Sequence, residues 1–211
     1  MNTVAYKLFI VFALLLTAGY FWGAYMNRMI ARMTFQKIES VLYPSQKSYV
    51  NIGGVIGYHA SYKVSGLGVA GIECSLVLLP RQSLLWLPFS LLIFKHDRIR
   101  LTFITEKKVF GRAYVYKKRQ FFPDHKREEP GCISQNMTFP WGMFALIYRG
   151  GEQGKKCHHV FESRIAGSCL KEAFWEGSRA EYVLARRGKD IQEAVREIHS
   201  SILESIAASG Q

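Results

Sequence analysis

The chain is short of acid: 16 Asp and Glu stand against 28 Lys and Arg, a net charge of +12. Most of those acids lie in helical or charged stretches beside basic residues, so no carboxylate pair stands out for acid–base chemistry. Its four cysteines, Cys74, Cys132, Cys157 and Cys169, form no C-x-x-C, and a chain of this size does not need disulfides to fold. It also lacks internal repeats and low-complexity tracts. These absences remove repeat architectures and the commoner catalytic signatures; in an exported body the cysteines could pair in any of three ways, and in a cytoplasmic one they are expected as small core residues.

What is present is a long uncharged run. Twenty residues, Leu8 to Asn27, carry no charge between Lys7 and Arg28. At about 1.5 Å per residue a helix of that length spans about 30 Å, the thickness of a bilayer's hydrocarbon core. Tyr20, Phe21, Trp22 and Tyr25 crowd the far end, and amphipathic rings favour the headgroup level. A cleaved signal peptide has a shorter apolar core, about 7–15 residues, and then a small-x-small site. The aromatic exit here fits an uncleaved anchor over residues 1–27. Flanking charge sets the orientation: Lys7 precedes the run, whereas Arg28, Arg32, Lys37 and Lys47 follow it against the single acid Glu39. The positive-inside rule then predicts a single-pass protein of the inner membrane with a cytoplasmic C-terminal body.

Residues 28–43 continue as a juxtamembrane helical stem, with Met29, Ile30, Met33, Ile38 and Leu42 near helical spacing and Pro44 as the stop. Residues 44–211 are long enough for one domain with its own core. Tyr49 to Gly71 reads as strand and turn. Ile72 to Phe94 is strongly apolar but is broken by Glu73, Pro80, Arg81 and Pro88, which predicts core strands, with a loop dipping into the membrane interface as the alternative. Ile99 to Thr105 and Val109 to Tyr116 alternate at period two, and Glu106-Lys107-Lys108 between them predicts a hairpin turn. Further strands are expected at Phe144 to Arg149, Cys157 to Ser163 and Glu181 to Arg186. A helix over 189–208 follows from the stripe Ile191, Val195, Ile198, Ile202, Ile206. The predicted fold class is α+β: one N-terminal transmembrane helix, then a small antiparallel β-rich domain closed by a C-terminal amphipathic helix.

Several short patterns carry less than they suggest. Gly66-Leu67-Gly68-Val69-Ala70-Gly71 matches G-x-G-x-x-G, yet the dinucleotide fingerprint needs a helix opening at the glycines, and a strand is expected here. Cys157-His158-His159 offers metal-ligand types, but adjacent strand residues face opposite ways. Ser168-Cys169-Leu170-Lys171 matches S-x-x-K without the companion motifs of acyl-enzymes. Asn136-Met137-Thr138 fits a glycosylation sequon that a cytoplasmic body would not use. No cofactor, metal or catalytic residue is expected.

Charge supplies the functional expectation. Lys95 to Arg127 holds eleven basic residues and three acids, a cluster suited to a polyanion. Lys107, Lys108, Arg112, Lys117, Lys118 and Arg119 bracket the predicted hairpin and are the expected binding residues for anionic lipid headgroups or an acidic protein. Nucleic acid fits less well, because stacking aromatics are scarcely interleaved with the charges. The expected function is that of a membrane-anchored, non-catalytic binding or scaffold protein. Two alternatives stand beside it: an accessory subunit of a secretion or transfer assembly with a periplasmic body, and an enzyme with an unrecognised site.

Tyr62-Lys63-Val64-Ser65 with Gly66 to Gly71, Leu87-Pro88-Phe89-Ser90 with Phe94 to Ile99, and the helix from Ile191 to Ile206 resemble bacterial membrane-anchored pleckstrin-homology-like proteins. The resemblance covers Tyr62 to Tyr116 and the C-terminal helix; Phe121 to Trp175 departs from it. It implies a small curved antiparallel sheet capped by a helix, used to bind headgroups or peptides, and transfers no site residue.

Overall fold

The computed structural model describes residues 3–64, 68–118, 132–139, 142–149, 169–186 and 191–209. Anchor and stem are one helix, α1 (Thr3–Leu42), about 60 Å long. Its apolar first half is exposed, and among the described residues it is the one helix long and apolar enough to cross a membrane; a signal sequence meets the same criteria. Its second half turns Ala31, Thr34, Phe35, Ile38, Val41 and Leu42 inward at spacings of three and four. Tyr43, at φ 45°, donates its N–H to the Glu39 carbonyl at 3.0 Å and ends the helix ahead of Pro44.

Nine strands follow: β1 (Gln46–Asn51), β2 (Gly57–Lys63), β3 (Val69–Val77), β4 (Arg98–Thr105), β5 (Phe110–Lys117), β6 (Cys132–Phe139), β7 (Gly142–Arg149), β8 (Leu170–Gly177) and β9 (Arg179–Ala185). A short helix, α2 (Leu87–Phe94), lies between β3 and β4, and α3 (Ile191–Ser209) closes the described chain. All pairings are antiparallel, in one sheet of order β1-β2-β3-β4-β9-β8-β5-β7-β6. The α+β expectation holds at this level: a long apolar helix, a large antiparallel sheet and a C-terminal helix.

Alternation decides what each strand buries. Ile72, Cys74 and Leu76, Ile99, Leu101 and Phe103, and Ala180, Tyr182 and Leu184 face one side and join the second half of α1 and the stripe Ile191, Val195, Ile198, Ile202 of α3 in a single core. Trp175 donates its indole N–H to the Tyr182 hydroxyl at 2.9 Å, so the largest buried ring satisfies its one polar atom. Arg100, Arg112, Glu172 and Glu181 lie on the other side of the sheet, and Arg100 pairs with Glu181 at 3.1 Å.

Two expectations are overturned. β4 and β5 do not form a hairpin; β9 and β8 lie between them. The turn Glu106-Lys107-Lys108 instead crosses the end of the β8–β9 hairpin, where the Thr105 and Val109 N–H groups donate to the Ser178 and Gly177 carbonyls. Period-two alternation fixes the face of each strand but not its neighbour, and Gly177, at φ 59°, gives β8–β9 the tight two-residue turn that competes for that place. The second correction concerns Leu84 to Phe94, which is not core strand. Ile72 to Val77 is strand, but Pro88 opens the helix α2, of which only Ser90 is buried. β6 and β8 were not anticipated. The expected strand at Cys157 to Ser163 lies outside the described residues.

Candidate functional site

The strongest buried polar feature ties α1 to the sheet. Asn27, the amide that ends the apolar run, is fully buried and donates Nδ2 to the Leu79 carbonyl at 2.9 Å. Its Oδ1 accepts from Arg81 Nη1 at 3.0 Å. Arg81 in turn grips Asp97 with both nitrogens, at 2.9 and 3.0 Å, and Asp97 Oδ1 also accepts the Leu79 N–H at 2.8 Å. From the other side Arg186 brings Nη1 to 3.6 Å of Asp97 Oδ2 and donates Nε to the Thr34 hydroxyl at 2.9 Å. One carboxylate, 4% exposed, thereby joins α1, the β3–α2 connection, β4 and the end of β9. Burial pulls the Arg186 guanidinium below its ordinary range, with Asp97 opposing that shift and Arg81 adding to it. Such a pair is held by its full set of hydrogen bonds rather than by charge alone.

Around this junction α1 is stripped of side chains. A Cβ on Gly23 would fall on the backbone of Arg81 and Gln82, and one on Gly19 would meet the Leu84 side chain. Gly19, Gly23 and Asn27 share one helix face at i, i+4, i+8, which lets the β3–α2 connection lie directly against the helix.

The six expected binding cations do not gather. Lys107 and Lys108 are exposed at the sheet end where β4 finishes, beside Gly68 and the β8–β9 turn. Lys117 lies at the other end of β5, its Nζ 5.4 Å from the centre of the Phe144 ring, and the Lys118 N–H donates to Met143. An eight-residue strand rises about 23 Å, which separates the two ends. Arg112, exposed on β5, is 3.8 Å from Glu176, and Arg119 lies outside the described residues. Cations closer to the junction arise elsewhere: Arg28 and Arg32 on α1 line a groove of about 520 Å³ against β1 and β2, while Lys95 and Arg98 follow α2. Glu39 at the far rim of that groove pairs with Lys47 at 2.8 Å and accepts the Tyr49 hydroxyl proton.

Among the described residues no catalytic constellation accompanies these charges. His59 has Ser75 on Nδ1 at 2.9 Å and Ser61 on Nε2 at 3.3 Å, so both ring nitrogens face hydroxyls and neither meets a carboxylate that would hold the ring as a base. Among the described residues no three His, Cys, Asp or Glu side chains gather as metal ligands. Gly68, at φ 73°, leads into strand β3 rather than into the helix that a dinucleotide fingerprint opens; Gly66 lies outside the described residues, as do Cys157 to His159 and Ser168. Burial pushes the Cys74 thiol up to about 12, the opposite of an activated nucleophile.

The residues of the junction escaped the sequence reading because Arg81 counted there only as a break in an apolar stretch and Asp97 only as one of three acids in the basic segment. The one local signal was Asn27, an amide placed where a span ends. Compared with known families and curated proteins, the chain matches no family model and no curated relative.

Proposed function

We propose that the chain is a single-pass inner-membrane protein whose cytoplasmic body binds a partner without transforming it. The observation that carries this reading is the Asn27–Arg81–Asp97–Arg186 junction. A flexible linker would let the body tumble; a helix that runs unbroken from an apolar segment into the sheet's core, locked by buried hydrogen bonds, holds the body in one pose at its base. Arg28 and Arg32, within two turns of Asn27, then meet headgroups, and the cytoplasmic side follows from their charge. The pleckstrin-homology-like resemblance would likewise imply a binding rather than a catalytic role, although Leu87 to Ser90, which it takes as strand, opens the helix α2.

Within this proposal the cations divide by position. Lys117 and Lys118 belong with anionic lipid, at the end of the sheet shared with Arg98. Lys107 and Lys108, at the opposite end, suit an acidic protein arriving from solution.

Sedimentation of residues 28–211 with vesicles tests the lipid half. Binding is expected to rise with anionic lipid and to fall with salt. Replacing Lys117 and Lys118 by Glu should weaken it by roughly thirtyfold, since each basic group near an anionic surface contributes about 1 kcal/mol, whereas Lys107→Glu and Lys108→Glu should leave it nearly unchanged. Binding indifferent to lipid charge and salt would remove the lipid reading. The side of the membrane is read by an impermeant thiol reagent on intact cells: Cys132, the partly exposed described cysteine, should stay unlabelled, and labelling would favour a periplasmic body.

A further inference from the structure

An unexplained surface of the body beside α1 is apolar. Leu85, Trp86, Phe89, Leu92 and Ile93 are all more than half exposed, Leu92 by 78%. They belong to a charge-free stretch, Gln82 to Phe94, bounded by Arg81 and Lys95. Soluble domains rarely offer water so continuous an apolar face.

Its backbone is equipped to leave water. Within the segment the Ser83, Trp86, Leu87 and Ser90 N–H groups donate to Pro80, Ser83, Ser83 and Trp86 carbonyls at 2.8–3.1 Å, and Lys95 closes α2 on Leu91 at 3.1 Å. Internally satisfied backbone is what hydrocarbon demands.

Position supplies the occupant. Leu84 lies over Gly19, eight residues before Asn27 and so about 12 Å further along α1 toward its N-terminus. One leaflet's hydrocarbon is about 15 Å deep. If Leu8 to Asn27 sits in a bilayer, Leu84 lies inside one leaflet, and the exposed face of α2 continues the lipid-facing surface of α1. The charges mark the boundary: Arg81 and Asp97 pair beside Asn27, and the Arg98 guanidinium sits 5.2 Å over the Phe94 ring, the arrangement of a cation at the water edge of an apolar element.

We infer that residues 82–94 form a second membrane-embedded element, which dips among the acyl chains of the leaflet where α1 emerges and returns to the same side. An eight-residue helix, about 12 Å long, cannot cross. The inference rests on the reading of α1 as the anchor and adds a second point of attachment, which stops the body from rotating about α1 and fixes which edge of the sheet faces lipid.

The test is tryptophan quenching in the full chain, reconstituted in phosphatidylcholine–phosphatidylglycerol vesicles with bromine at acyl positions 6 and 7. Trp22 on α1 and Trp86 are 69% and 55% exposed, so Trp22→Phe and Trp86→Phe are mild changes, and Trp22 serves as the internal control for the anchor. Each substitution is expected to remove a comparable share of the bromine-quenchable emission. If Trp22→Phe removes its share and Trp86→Phe removes none, α2 lies outside the lipid and the inference fails while the anchor stands. If neither removes any, the anchor reading fails and takes the inference with it. If Trp86 escapes bromine but shifts its emission to the red on dilution into excess lipid, a second copy of the chain covers α2, and that also overturns the inference.

Discussion

At the scale of single residues the protein depends on Asp97 more than on any cation. Its carboxylate accepts hydrogen bonds from Arg81 and the Leu79 N–H and forms an ion pair with Arg186. Removing one partner of a buried pair leaves the others uncompensated, so Asp97→Ala should cost about 3–5 kcal/mol. Thermal unfolding in detergent reads this, and Asp97→Asn, which keeps an acceptor for the Leu79 N–H, should fall between the two. His199 gives a pH dependence. It stacks on Phe103 at 6.2 Å, its Nε2 is buried without a partner, and burial lowers its pKa. With the folded pKa below the unfolded value of about 6.5, the unfolded chain binds the proton more readily. The His199 contribution is therefore constant above about pH 6.5 and declines as pH falls toward the depressed folded value. His199→Phe should flatten the wild-type decline in melting temperature between pH 6.5 and 5; an unchanged slope would assign that decline to other groups.

At the scale of elements, local pattern was informative about type and weak about partners. Val109 to Tyr116 was legible as a strand because its side chains alternate, and 189–208 as a helix because its isoleucines recur at three and four. The β4–β5 hairpin was misread because β4's true neighbour, β9, lies over seventy residues away in sequence. Leu84 to Phe94 was misread because an apolar run has no polar face from which a period could be taken. Contact between elements also explains the glycines of α1. Gly23→Ala would push a methyl into the Arg81 backbone, which cannot yield, whereas at Gly19 the obstacle is a mobile Leu84 side chain. Gly23→Ala should destabilise by about 1–3 kcal/mol and Gly19→Ala by less, measured by denaturant unfolding in detergent. Equal effects would mean that the connection does not rest on α1 as described.

At the scale of the whole molecule, stem and body have one core. Phe35, Ile38, Val41 and Leu42 are each at most 9% exposed within it, and burying side chains of this kind contributes about 1.5–3 kcal/mol apiece. Four of them rival the roughly 5–15 kcal/mol by which a domain is stable. A fragment of residues 44–211 should therefore lack a cooperative thermal transition, while 28–211 should keep one; a sharp transition in the shorter fragment would show that the sheet and α3 suffice.

The sequence by itself determined the apolar helix, the excess of positive charge, the alternation of most strands and the closing helix, because these follow from spacing within a few residues. The tertiary structure alone decided which strands are neighbours, that the stem is core, that Lys107 and Lys108 lie at the opposite end of the sheet from Lys117 and Lys118, and that Asn27, Arg81, Asp97 and Arg186 meet. Those outcomes depend on groups from 16 to 152 residues apart competing for the same edges and the same buried acceptors, and no local pattern encodes the winner of that competition.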